Sequence, residues 1–198
     1  MHLDKSEQIE KIFSRLDTSE KIILFCMGAL NKPLKSKVDV QKIVFLCNNE
    51  LPEIFDGLYH FQAHKKGPYS EKIDEDVNVI SSSGLVSGIN FGLSDLGYGV
   101  YNRILPRVAE PLKSTIYENK DFIHGLSDDE LLTFIYVAFP DYIVNSEEWG
   151  RLKTNRIKNA VSLLKKEKIS ASRAAEIAGM NYYDFEDYLK SLKVKWKS

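Results

Sequence analysis

The chain has 198 residues, 43% of them apolar, and no run near the roughly 20 apolar residues of a membrane helix. That composition predicts a soluble globular protein with a real core, in one large domain or two small ones. The formal net charge is only -1, yet residues 151–198 carry 12 Lys and Arg against 5 Asp and Glu, while residues 1–150 carry 15 against 23. A basic tail that suggests nucleic acid therefore follows an acidic body that argues against it.

In chain order, Met1-His2-Leu3-Asp4-Lys5 has no apolar signal-peptide core, so the expected location is the cytoplasm. Ile9, Ile12, Phe13 and Leu16 outline a first amphipathic helix, and Asp17 with Glu20 reads as a capping box for a second. That second helix, Ile22 to Leu30, is apolar on most sides and stops before Asn31-Lys32-Pro33. Ser36 and Asp39 open a third whose apolar face is Val40, Ile43, Val44 and Cys47, with Gln41 and Lys42 off that face. Cys26 and Cys47 lie inside these apolar patterns and read as reduced core thiols. His60 and His64 have helical spacing, but Tyr59, Phe61 and Ala63 alternate as a strand does, so no zinc site is expected.

Lys65-Lys66 leads into a turn, Gly67-Pro68 is expected to bend the chain sharply, and Ser70 to cap a helix with Ile73, Val77 and Ile80 inward. Gly84 stops it. Ile89, Phe91 and Leu93 alternate with polar neighbours and are expected to pair with Leu85-Val86 as a wing. Ser94 opens a helix to about Leu105, Pro106 and Pro111 punctuate the segment beyond it, and Ser127 to Glu130 is a capping box for a helix ending at Phe139-Pro140. The fold class is mainly α (α+β). A winged-helix-like domain with a small two-strand wing and extra helices is expected over 1–148, with the boundary at Glu148-Trp149-Gly150, followed by a basic three-helix domain over 151–198.

In that tail, Ile157, Ala160, Val161 and Leu164 form one helix face, Ser170 opens a second helix through Ala178, and Tyr182 to Leu192 forms a third. Gly179 stands at the tight turn, and Ala174, Ala175, Ala178, Met180, Phe185 and Tyr188 fall where the two helices of a helix-turn-helix touch. Asn181, Tyr182 and Tyr183 would be the base readers, with Arg173 and Lys190 at phosphates. Asp184, Glu186 and Asp187 oppose that reading, because carboxylates are repelled by phosphates. DNA contact and a purely protein-docking role both stay open. In the body, Lys65, Lys66 and Tyr69 beside Glu71 and Glu75 form a candidate surface for a basic protein partner. The bland alternative is a packed Tyr69 with its charges in water.

Val40 to Leu46, Gly67-Pro68-Tyr69-Ser70, Gly84-Leu85-Val86, Leu93 to Gly97, and Leu131 to Tyr136 before Phe139-Pro140 resemble the YwgA-like and Panacea/SocA-like domains over residues 1 to about 145. Panacea-like domains are associated with antitoxins, so the resemblance implies binding of a partner toxin. Ile169 to Lys193, with the pattern I-S-x-x-x-A-A-E-x-A-G-M, resembles short prokaryotic helix-turn-helix antitoxins. No nucleophile elbow, P-loop or dinucleotide-binding glycine pattern is present, so neither catalysis nor a cofactor is expected. A homodimer would be needed if DNA were read through paired half-sites, though no heptad marks its interface.

Overall fold

The computed structural model describes residues 4–88 and 91–196, which divide into two compact units: residues 4–62 with 68–88 and 91–124, and residues 63–67 with 125–196. The fold is mainly helical, with a small two-strand antiparallel sheet. Each unit forms for its own local reasons.

In the first unit, capping boxes start α1 (Lys5–Arg15) and α2 (Thr18–Gly28): Asp4 and Asp17 accept from the amides of Glu7 and Glu20, whose carboxylates return the bond. Satisfying orphan amides in this way fixes where each helix begins. From Ile22 to Gly28 every residue of α2 is buried, making it the central element expected from its all-round apolarity. Around it lie α3 (Lys37–Glu50), α4 (Pro52–Phe55), α5 (Glu71–Ser82), α6 (Asp95–Ile104) and α7 (Glu110–Ile123). Asp39, expected to help open α3, accepts the Lys35 amide, and Ser36 caps the helix. The prolines read as punctuation do not prevent α7, because Pro111 sits in its first turn, where a missing N–H costs nothing.

Antiparallel bridges join Val86 to Leu93 and Leu34 to Phe91. A segment before α3 thus pairs with the segment after α5, giving the winged-helix order with α5 in the place of the recognition helix. Ile89 and Asn90, at the expected wing tip, lie outside the described residues.

The stretch from Tyr59 to Ser70 differs from expectation. The strands are β1 (Gln62–His64) and β2 (Gly67–Tyr69), and the reversal falls at Lys65-Lys66 rather than at Gly67-Pro68. Gly67, at φ +83°, supplies the left-handed residue that a tight hairpin needs, and the chain runs on extended through Pro68. Tyr59 and Phe61 precede the strand instead of forming it: Tyr59 Oη donates to the Ser19 carbonyl at 3.1 Å, and Phe61 packs edge-on against Phe45. Ser70 holds the N-cap position of α5, but its side chain caps nothing.

Two lysines are buried in this unit. Lys120, 0% exposed, donates to the carbonyls of Cys26 and Met27 at 2.8 and 2.6 Å and so closes the C-terminal end of α2, where a cation also meets the helix dipole. Burial lowers its pKa to about 8. Cys26 and Cys47 are both free and buried.

The second unit is built on α8 (Asp128–Ala138), α9 (Trp149–Lys165), α10 (Ala171–Ala178) and α11 (Tyr182–Ser191), each packed on the next. The Ser127–Glu130 capping box starts α8. Burial would raise the Glu130 pKa, but donors from Lys166, Ser162 and Ser127 together hold it at about 2. Tyr136 meets Trp149 edge-on at 5.6 Å beside Leu132 and Leu152. The Glu147 amide donates to the Lys65 carbonyl and Asn145 Nδ2 to that of Ala63, which ties residues 63–67 to this unit. The charge change at Glu148-Trp149-Gly150 falls at the start of α9, inside this unit.

Candidate recognition surfaces

Two helices stand where a helix-turn-helix or winged helix places its reading element: α5 in the first unit and α11 in the second.

The start of α5 is held by α3. Gln41 Nε2 donates to the Ser70 carbonyl at 2.8 Å, its Oε1 accepts the Ser70 amide at 2.9 Å, and Lys42 Nζ donates to the Pro68 carbonyl at 2.7 Å. The Gln41, Lys42 and Ser70 side chains are all buried. Gln41 acts as a substitute β-strand, pairing with the backbone of a segment 29 residues away. Burial lowers the pKa of Lys42 to about 7, partly opposed by Asp39. Periodicity places both residues off the apolar face of α3. Their function is hidden in the sequence because a polar side chain of α3 gives no sign of which distant backbone it will meet.

The exposed side of α5 is acidic. Glu71 and Glu75, one turn apart, both face solvent. Among the described residues no cation is paired with either, whereas the other charges of the helix are matched: Lys72 with Asp76 at 2.5 Å, and Lys37 with Asp74 at 3.9 Å. Tyr69 stands half-buried at the entrance of α5, its pKa raised first by burial and then by Asp74 and Glu71. Lys65 and Lys66, expected on the same surface, are exposed at the hairpin turn, and Lys65 is bridged to Glu147 at 2.7 Å, which raises its pKa.

On α11, Asn181 is the N-cap: its Oδ1 accepts the Asp184 amide at 2.9 Å and its Nδ2 donates to the Asp184 carboxylate. Both of its polar atoms are thus in use within the helix. Arg173 pairs with Glu176 and lies over the Phe134 ring at 5.4 Å. Lys190 is bridged to Asp187 at 3.2 Å and Glu186 at 3.5 Å, which raises its pKa. The remaining face is aromatic and apolar. Tyr183 is 76% exposed and meets Tyr182 edge-on, and Tyr188 and Leu192 are also exposed.

The turn between α10 and α11 has the geometry its sequence predicts. Gly179 adopts φ +68°, and the Arg156 guanidinium fills the space a Cβ would take while its Nε donates to the Ala178 carbonyl at 2.7 Å. Glycine is required there twice over, by backbone conformation and by close approach.

Three carboxylates, Asp17, Glu20 and Asp76, converge within 4.8 Å. Lys72 already supplies their cation, with Nζ at 2.5 Å from Asp76 and 3.5 Å from Asp17, and Asp17 and Glu20 form the α2 capping box. Asp76 Oδ2 is buried and has no hydrogen-bond partner among the described residues.

Residues 134–198, about a third of the chain, match the profile of an uncharacterised protein family (UPF0175), a span that takes in the end of α8 and all of α9, α10 and α11. No curated protein and no solved structure matches the chain.

Proposed function

We propose that this chain is an antitoxin-like regulator whose first unit binds a basic partner protein, a toxin, through the outward face of α5. The observation that carries this reading is the Glu71–Glu75 pair. Like charges at i and i+4 destabilise a helix by roughly 0.2–0.5 kcal/mol, and here no cation among the described residues offsets them. In the recognition position of a winged helix, carboxylates repel a phosphate backbone and attract a basic protein surface. The resemblance of Ile169–Lys193 to short helix-turn-helix antitoxins, and that of the N-terminal body to Panacea-like domains, support the same theme.

The helix-turn-helix of the second unit is the element that would take operator DNA, which gives the regulator its second limb. The Gly179 turn between α10 and α11 favours it, as do the exposed Lys153, Lys158 and Lys165, for which no carboxylate bridge is found among the described residues. The paired states of Arg173 and Lys190 and the tyrosines of α11 favour instead an adaptor that contacts only protein.

The test is neutralisation. The product of the reading frame beside this gene is assayed for toxicity with the chain and with a Glu71→Lys/Glu75→Lys variant. Rescue by the chain and its loss in the variant support the reading; equal rescue by both removes α5 from it. A titration with upstream DNA at about 50 and 200 mM salt decides the second limb: affinity falling steeply with salt supports it, and no binding even at the lower salt leaves the adaptor.

A further inference from the structure

A cavity of about 290 Å³ opens in the first unit among α1, α2, α4, α6 and the start of α7. Its walls include Ile22, Phe25 and Leu112, and the two charged side chains lining it, Lys21 and Arg107, are both cations. They flank one ring: Lys21 Nζ lies 4.8 Å and the Arg107 guanidinium 4.9 Å from the centroid of Phe13. The aromatic face holds each cation at the cavity.

Neither cation is bridged to a carboxylate among the described residues, although acids are close in sequence. Glu10 is taken by Arg103 at 3.5 Å, Glu110 by Lys113 at 2.6 Å, and Asp17 by Lys72 and the start of its own helix. Two like charges at one ring raise the positive potential of this wall, and an anion in the cavity would offset it. α7 begins at the same wall, with Ala109 at its N-cap providing no side-chain cap. The positive end of its dipole adds to the same potential.

We propose that this cavity binds a small monocarboxylate with an aromatic or medium-chain aliphatic body, the apolar part against Ile22, Phe25 and Leu112 and the carboxylate at the wall that carries Lys21 and Arg107. The size fits. Ligand pockets usually enclose roughly 300–1,000 Å³, and this one stands at the small end. The arrangement of apolar walls with a few convergent polar groups is that of a site which selects orientation by charge and affinity by burial. The site is separate from the face of α5 proposed to meet a partner, so its ligand is measured on the chain alone.

The experiment is calorimetric titration of the full chain with octanoate and 2-naphthoate, using octanol and 2-naphthalenemethanol as neutral analogues. One ligand per chain is expected, with at least one carboxylate bound about tenfold or more tightly than its alcohol, as a charge-assisted contact provides. Arg107→Met, at an exposed position, is expected to weaken the carboxylate about tenfold and leave the alcohol unchanged. Ile54→Trp, which fills the cavity from its half-buried wall, is expected to abolish both. The proposal is overturned if neither carboxylate saturates below about 1 mM, if acid and alcohol bind alike, or if binding survives Ile54→Trp unchanged.

Discussion

The helices α5 and α11 occupy the same position in their respective motifs and differ in what they expose, unbridged carboxylates on one and tyrosines on the other. On α5 the outward carboxylates Glu71 and Glu75 have no bridging cation among the described residues, and the order lies behind them, in the buried Gln41 and Lys42 that hold the backbone of Pro68 and Ser70. On α11 Lys190 is bridged to Asp187 and Glu186 and Asp184 is held by the N-cap Asn181, while on α10 Arg173 is bridged to Glu176, leaving the α11 tyrosines in the open. A count of charges therefore misjudges both. The basic tail has fewer free cations than its composition suggests, and the acidic body has free anions where its fold would present a reading helix.

The strongest way to break this comparison is to disturb what supports each helix. Gly179→Ala forces a side chain into left-handed backbone and onto the Arg156 guanidinium, and is expected to destabilise the second unit by about 3 kcal/mol, read as loss of amide-exchange protection in α10 and α11. The first unit should keep its protection. Gln41→Ala leaves the Ser70 amide and carbonyl buried without partners, at a cost of about 2 kcal/mol, seen as a lower urea midpoint and faster exchange at the start of α5.

A pH series sharpens the contrast. The folded pKa of Lys42, about 7, lies below its ordinary value of 10.5, so between these limits the unfolded chain holds more protons. Lys120, lowered to about 8, acts in the same direction. Stability of the first unit is therefore expected to rise as the pH goes from about 7 toward 10. Glu130 works from the other side: its folded pKa of about 2 lies below the ordinary 4.5, so its contribution is complete above pH 4.5 and is lost as the pH falls toward 2. Amide exchange resolved by unit measures both. The smallest effect is expected from Lys190→Ala, whose urea midpoint should match that of the parent because its bridges are exposed.

Much of the architecture was legible because its signals are local. The Asp17–Glu20 and Ser127–Glu130 boxes, the apolar wrap of α2 and the Gly179 turn each rest on residues within one or two turns of each other. What escaped depends on distance or on position. Pro111 reads as a break until it is seen in the first turn of α7. The hairpin reversal at Lys65-Lys66 is unmarked by its own residues, since its left-handed glycine comes one place later. Of the candidate site residues, Asn181, Arg173 and Lys190 stand where the helix-turn-helix pattern put them, but their partners, Asp184, Glu176 and the Asp187–Glu186 pair, are set by side-chain choices that spacing alone does not fix. The role of Gln41 and the cavity beside Phe13 arise only when segments far apart in sequence meet.

The most direct measurement is the affinity of the purified toxin candidate for three forms of the chain: parent, Glu71→Lys/Glu75→Lys, and Tyr182→Ala/Tyr183→Ala. The α5 variant is expected to lose about a hundredfold in affinity while its thermal midpoint holds, and the α11 variant to bind as the parent does. Full affinity in the α5 variant, or its loss only in the α11 variant, would contradict the assignment of partner recognition to α5.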